Sequence, residues 1–328
     1  QRGRSLSQEL RVASTDDAGP RFVAGLFLQA TRYDNDGQSV APGGQALWGP
    51  AGFLLPDDEF GALRIRGRTH EAALFGDLQL PGPGGSWFSV GGRAFRMAVA
   101  YDARLVFLGQ VTEAAPSTRE KGFTPRLAMR WPLGPHTLHA TVSEGYRFGG
   151  VNFNPPLLTP YRSDRVRNHE LGLQLRPGAS WKLDLTAFSI DWRDAQVSAL
   201  VAGAVPVIGV ANVGRARSRG IEATGSWRGP QGLEVSAALA GIDARTRVAY
   251  AAEDGTLVPA GARLPGTPRW QTQLRLSQHF SAVDGWQGQA SLGHRWTGAR
   301  TFDIEGRAAA PGHSRLDARL TFDRGAWS

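Results

Sequence analysis

The chain has 328 residues, a formal charge of +8 and no cysteine, which excludes a disulfide framework and any thiolate metal site. Its length admits two ordinary domains or one large all-β domain. Lys121 and Lys182 are the only lysines, and the arginines stand singly between apolar residues rather than in runs, which argues against a nucleic-acid partner.

The opening segment, QRGRSLSQELRVAS, lacks the basic, apolar and small-residue succession of a secretory signal, so the chain reads as a mature one or one whose start is missing. No stretch approaches ~18 uninterrupted apolar residues. The nearest, ALVAGAVPVIGV at 199–210, is short and is broken by Pro206. A helical membrane protein is excluded.

In chain order, SLSQELRVAS and RFVAGLFLQA flank a short turn at 15–20, followed by a long polar loop at 32–68, a Pro/Gly-rich turn at 81–86 and a second long loop at 102–118. GFTPRLAMRW then sets Phe123, Leu127, Met129 and Trp131 against Thr124, Arg126 and Arg130. Such period-two alternation is that of a strand with one apolar and one polar face. After a loop at 148–164 and a turn at 177–180, WKLDLTAFSIDW begins with Trp181, Leu183 and Leu185 on its apolar face, then changes phase to Phe188, Ile190 and Trp192. A bulge, or an exit from the half-buried zone, accounts for the shift. Beyond loops at 194–213 and 247–266 and a turn at 229–231, three clean strands follow. RWQTQLRLSQHF opposes Trp270, Thr272, Leu274, Leu276 and Phe280 to Arg269, Gln271, Gln273, Arg275 and His279. WQGQASLGHRW and RLDARLTF repeat the split.

The count is about thirteen strands of roughly ten residues or more, near the length that crosses a bilayer at a tilt. Short turns alternate with long loops from one end to the other, as the periplasmic and external connections of an outer-membrane barrel do. Trp87, Trp131, Trp181, Trp192, Trp227, Trp270, Trp286 and Trp296 sit at strand ends, where an interfacial girdle places them. A soluble sandwich shares the dyad period, but its core is ordinarily richer in Ile, Val and Phe than these Ala-, Gly- and Thr-rich faces.

GYRFGGVN (145–152), a long loop, NHELGLQL (168–175), LTAFSIDWRDAQV (185–197), NVGRARSRGIEATGSW (212–227) and GARLPGTPRW (261–270) together resemble the C-terminal half of a TonB-dependent outer-membrane receptor barrel. SLSQELRVAS with RFVAGLFLQA resembles an earlier hairpin of the same barrels, particularly iron-complex receptors. The resemblance runs over most of the chain, and it is the succession of motifs that is specific. It implies an all-β, antiparallel transmembrane barrel of about 22 strands, plugged by an N-terminal domain. Such a receptor binds a scarce ligand, a ferric siderophore or similar iron complex, outside a Gram-negative cell and releases it inward when the TonB complex pulls on the plug. Its partners are then outer-membrane lipid, the siderophore and, through a plug, TonB.

No plug precedes Gln1, no TonB box is recognisable and no strand closing on an aromatic residue follows FDRGAWS, so residues 1–328 are expected to be an incomplete barrel domain. If short turns are periplasmic, the first and last strands both descend. An odd number of strands is then missing before the chain and an even number after it, and roughly seven and two satisfy both conditions.

Gly149 and Gly150 lack the strand-to-helix surroundings of a phosphate cradle and are expected to give a loop entry its positive φ. Arg215, Arg217 and Arg219 point one way on a strand, which makes a lumen-facing or rim row rather than a nucleic-acid patch. His136, His139 and His169 show no metal-ligand spacing and no adjacent carboxylate on a paired strand; they read as girdle or lumen residues. Nothing organises the Ser, Asp and His residues into a nucleophile, base and orienter, so no catalysis, cofactor or metal is expected. For ligand contact the opening of the 148–164 loop offers Arg147 for an anionic ferric chelate, Tyr146 and Phe153 for stacking, and Asn152 and Asn154 for neutral hydrogen bonds. A passive porin and an outer-membrane barrel enzyme are the alternatives.

Overall fold

A computed structural model describes residues 2–15, 19–54, 56–154, 157–201, 207–251, 256–282 and 285–324. Thirteen strands form its wall: β1 (Arg2–Ala13), β2 (Arg21–Val40), β3 (Glu59–Pro81), β4 (Trp87–Phe107), β5 (Ser117–Leu133), β6 (His136–Arg147), β7 (Asp164–Leu175), β8 (Trp181–Arg193), β9 (Arg215–Arg228), β10 (Leu233–Thr246), β11 (Trp270–Ser281), β12 (Gln287–Thr297) and β13 (His313–Asp323). They pair antiparallel in sequence order, and the path stays open, with β1 and β13 at its edges. Gln110–Ala114 adds a short strand to β4, and four two-stranded hairpins lie off the path, all of them in the long connections.

The register aligns the apolar residues into a continuous band. Leu10 faces Leu26, which faces Leu74, Ala94 and Phe123 in turn. Further along, Leu173 faces Leu185, Ala223 and Leu239, and Leu276 faces Leu292 and Ala318. The large members of this band, Leu10, Leu74, Phe123 and Leu292 among them, are exposed. Opposite pleats carry polar residues that bond among themselves. Glu71 pairs with Arg93, Asp77 accepts from Ser89 at 2.8 Å and from Arg126 at 3.1 Å, and Glu170 lies 3.7 Å from His139. Because successive side chains of a strand alternate between faces, one surface is oily across this band and the other is a hydrogen-bonded polar network.

Several expectations change on this framework. Strands enter the segments 32–68 and 102–118, since β2 continues to Val40 and β4 to Phe107. Cross-strand pairs such as Arg64–Asp36 at 3.2 Å and Arg66–Asp34 at 3.6 Å take the place of apolar residues there, so hydropathy alone misses these extensions. β8 keeps one register with both neighbours throughout. Its phase change is therefore no bulge: the outer pleats become Ser189 and Asp191, while Phe188, Ile190 and Trp192 stay on the inner side. Trp192 belongs to that inner side, beside the Arg147 guanidinium, and Trp87 lies under Arg21 on the same face. Girdle geometry is kept by Trp181 and Trp227, directly opposed across β8 and β9 with ring centroids 5.8 Å apart.

A wall one sheet thick buries little of itself. The main hydrophobic cluster lies at the long-loop end, where Ala195, Val197, Val213, Ala216, Ala244, Leu264 and Ile304 pack together. Several long connections thus fold over the inner face of β8–β10 and make a small core of their own. At the other end turns are tight; Gly134, between β5 and β6, adopts φ 62, a left-handed value that only glycine takes without cost.

Candidate functional site

Above the apolar band the inner face becomes aromatic. Tyr33 on β2 and Tyr101 on β4 are both register partners of Gly67 on β3. A Cβ at Gly67 would lie 2.0 Å from Cε1 of Tyr33. Without it the Tyr33 ring crosses the strand and meets Tyr101 edge-on, with centroids 6.1 Å apart. Tyr161, from the hairpin Gly150–Asn154/Leu157–Tyr161, is the third phenol coupled to this pair. Six residues lower on β4, Phe95 starts a second aromatic group: Tyr146 packs on Phe95 at 4.8 Å and on Phe148 at 5.0 Å, and Phe95 and Phe148 stand edge-to-face at 5.6 Å. The chain has five tyrosines, and four of them are here.

The outer pleats beside Tyr33 and Gly67 are charged (Arg32, Asp34, Arg66, Arg68), so the Tyr33–Tyr101 pair stands above the apolar band, whereas Phe95 adjoins Ala94 at its upper edge. Burial raises the Tyr33 hydroxyl far above the usual phenol range, with Tyr101 adding to the effect. Burial also raises Tyr161, again with Tyr101, while Arg147 pulls it down. Glu120 on β5 is raised by burial, against the Ser163 hydroxyl, the Gly149 N–H and Arg165. At neutral pH both shifted phenols are therefore uncharged donors.

Of the residues singled out in the sequence, Tyr146 joins this cluster. Arg147 is bound to the wall: its guanidinium pairs with Asp164, which is 2% exposed, donates to the Gln196 carbonyl at 2.8 Å and lies 5.4 Å from the Trp192 ring. Asn152 uses both amide atoms on Val210, donating to its carbonyl at 2.7 Å and accepting from its N–H at 2.8 Å. The side chains of Phe153 and Asn154 lie outside the described residues. Gly149 and Gly150 do not adopt positive φ. Their role is close approach, since a Cβ at Gly149 would lie 2.4 Å from the Tyr161 carbonyl and one at Gly150 2.4 Å from its hydroxyl. His139 does have a carboxylate across the strand pair, Glu170. Arg215, Arg217 and Arg219 share the Ile221 side of β9, which makes them an outer rim row and not a lumen row.

Sequence reasoning missed Tyr33, Tyr101, Tyr161, Asp164 and Gln196. The available signal was the tyrosine distribution, since Tyr33, Tyr101 and Tyr146 each stand a few residues beyond the last apolar pleat of their strand.

The sequence matches the model of the TonB dependent receptor-like β-barrel family over residues 3–328. The chain belongs to that family. This receptor barrel is similar in fold to solved structures of two receptors and a transporter. The ferric yersiniabactin uptake receptor FyuA from Yersinia pestis aligns with a TM-score of 0.78 at 20% identity, over 97% of this chain and 46% of that one. The siderophore receptor PiuA from Acinetobacter baumannii gives 0.70 at 12%, over 99% and 50%. The copper transporter OprC gives 0.69 at 15%, over 99% and 49%. The chain thus spans about half the length of these structures. No curated protein matches the sequence. The family is one of receptors and transporters with transmembrane β-barrels, so the oily face of the receptor barrel is its exterior and the tyrosine cluster lies on the interior, at the end bearing the long loops.

Proposed function

We propose that this chain forms wall and external loops of an outer-membrane receptor that imports a ferric siderophore or a similar iron complex, driven by TonB acting through a plug. The observation that carries the reading is the interior cluster of Tyr33, Tyr101, Tyr161, Tyr146, Phe95 and Phe148, roofed by the hairpin that supplies Tyr161. Ring-bearing chelates stack on such surfaces. Phenols held in their protonated form donate hydrogen bonds to chelate oxygens without repelling an anionic complex. Arg147, half exposed although paired with Asp164, adds positive charge at the edge. Phe153 and Asn154 on the same hairpin belong to the proposed contact set.

Two further supports are the structural likeness to proteins described as siderophore receptors and the alternation of short and long connections, since long connections are the external ones of an outer-membrane barrel. In this reading the plug and the rest of the wall come from polypeptide outside residues 1–328. The test is uptake of a radiolabelled ferric siderophore by cells with and without the gene. Gene-dependent uptake that falls about 10-fold, or ~1.4 kcal/mol in apparent binding, in a Tyr101→Ala/Tyr161→Ala variant supports the reading. Gene-dependent accumulation of copper with no iron uptake overturns it.

A further inference from the structure

Two of the long connections lack charge altogether. Residues 148–161 and 195–214 hold no charged side chain, in a chain where charged residues make up 20%. Other long connections carry both signs, with Arg104 and Glu113 in 102–118 and Asp303, Glu305 and Arg307 in 298–312.

The fold joins the two uncharged segments into one roof. The hairpin Gly150–Asn154/Leu157–Tyr161 and the hairpin Gln196–Val201/Val207–Asn212 are tied together by Asn152 and Val210. Gln196 and Asn212 also spend their amides on backbone. Gln196 donates to the Phe148 and Arg162 carbonyls, both at 2.9 Å, and Asn212 to the Arg162 carbonyl at 2.9 Å and the Asp194 carbonyl at 2.7 Å.

The charges flanking this roof cancel. Arg147 pairs with Asp164 and Arg162 with Asp194 at 3.0 Å, while Arg165 acts on Glu120. Three guanidiniums thus stand against three carboxylates. Below them the inner pleats beside the tyrosines are neutral: Thr31 and Asn35 on β2, Thr69 and Ile65 on β3, Val99 and Ala103 on β4. Roof, flank and wall together carry no net charge.

That balance selects among iron complexes. An uncharged enclosure gives a multiply charged ion nothing in exchange for its hydration, and the penalty rises with the square of the charge. A trianionic tris-catecholate therefore enters at a cost that an uncharged chelate of the same size and ring number does not meet. Stacking on the aromatic residues is open to both. The inner wall does hold unbalanced cations, but elsewhere. Arg295 on β12 faces Arg315 on β13, and with Arg300 they line a hollow of about 510 Å³ that has no carboxylate among its described lining residues. β3 and β12 are nine strands apart, roughly 40 Å along the wall at ~4.8 Å per strand. A chelate seated on the tyrosines lies beyond their reach.

Resting on the iron-receptor reading, we propose that the tyrosine site takes an uncharged or singly charged, ring-bearing ferric chelate and discriminates against trianionic complexes.

The experiment uses the receptor expressed from its whole coding sequence in the outer membrane of cells lacking their own ferric-chelate receptors. Uptake of radiolabelled iron is compared for two hexadentate chelators built on one scaffold. One is a tris-hydroxypyridinone, whose ferric complex is uncharged, and the other a tris-catecholate, whose complex is trianionic; a ringless, uncharged trihydroxamate complex is the third probe. Below saturation, wild type is expected to take up the hydroxypyridinone complex at least about 10-fold faster than the catecholate and at least about 3-fold faster than the hydroxamate. Its binding to purified receptor is expected to change less than about 2-fold between low and high salt, since recognition by charge would be screened. Thr69→Arg sets a cation one inner pleat from Gly67, on a lumen face where substitution tunes selectivity, and is expected to narrow the preference over the catecholate by about 5-fold or more. Equal or faster uptake of the catecholate complex by wild type, whether or not it depends on Arg295 and Arg315, overturns the proposal, and so does a preference for the hydroxamate. If Thr69→Arg lacks the heat-modifiable mobility of a folded barrel, the wild-type comparison of the two scaffold-matched complexes decides. Gene-dependent iron uptake from the catecholate alone defeats this inference and leaves the parent reading standing, whereas no gene-dependent iron uptake from any of the three defeats both.

Discussion

Gly67 owes its place to Tyr33, whose ring occupies the volume a methyl group would take. Gly67→Ala is therefore expected to push Tyr33 away from Tyr101, and ultraviolet titration should then find fewer phenols ionising above the ordinary range. The sign of the linkage is fixed by the direction of the shift. A phenol held above its unfolded value stabilises the fold below about pH 10, and the contribution is lost as pH rises through the folded value. Asp58 behaves oppositely. Its carboxylate accepts the N–H groups of Gln45 and Gly43, each at 2.8 Å, and these bonds lower its pKa. Exchange of those two amides should be slow above the usual aspartate range and accelerate as pH falls through the lowered value; unchanged exchange would refute the role. At this scale sequence reading reached Tyr146 but not Tyr33 or Tyr101, because their meeting depends on a glycine 34 residues from each in the chain. It also assigned Arg147 and Asn152 to ligand, when what their neighbours offer, Asp164 on one side and a backbone strand on the other, appears only once the strands are paired.

Individual elements divide into wall strands, held by period two and register, and hairpins, held by a few buried polar contacts. Asp164, at the head of wall strand β7, supplies contacts of the second kind: it takes Arg147 and the Gln196 N–H, the latter at 3.0 Å. Asp164→Ala is expected to cost ~1.5–3 kcal/mol locally, the range for hydrogen bonds to a charged group. Limited proteolysis within 148–163 and 194–214 should accelerate about 10-fold or more while the wall stays intact. Arg162 and Asp194 form a comparable bond at 3.0 Å with both side chains in solvent, so Arg162→Gln should change cleavage little. For the wall, Leu185→Arg on the oily face is expected to destabilise by about 2–4 kcal/mol, and Thr186→Arg on the opposite pleat by much less. Heat-modifiable mobility checks the pair, and equal losses would mean the faces are misassigned. The strands were legible because apolar alternation is a local signal. Their charged extensions beyond residues 32 and 102 were not, since there the alternation is between two kinds of polar residue.

For the molecule as a whole, the succession of short and long connections carried most of the fold, and the thirteen-strand wall follows it. What alternation leaves open is closure. β1 and β13 present unpaired edges, and an unpaired backbone edge facing hydrocarbon costs several kcal/mol per group. Because their number is odd, the two edge strands run the same way, so joining them would need a parallel seam in an otherwise antiparallel wall. Since the chain has no native cysteine, Leu10→Cys combined with Leu320→Cys tests this cleanly. No disulfide should form between them within one membrane-inserted chain, and efficient cross-linking would instead establish a self-closed barrel. The connections have a unity of their own. Asn152 is stitched to Val210, and the Ile304 N–H donates to Ser198 at 3.1 Å, so three loops drawn from distant parts of the chain are tied end to end. Replacing Asn152 is therefore expected to loosen the 194–214 segment as well as its own.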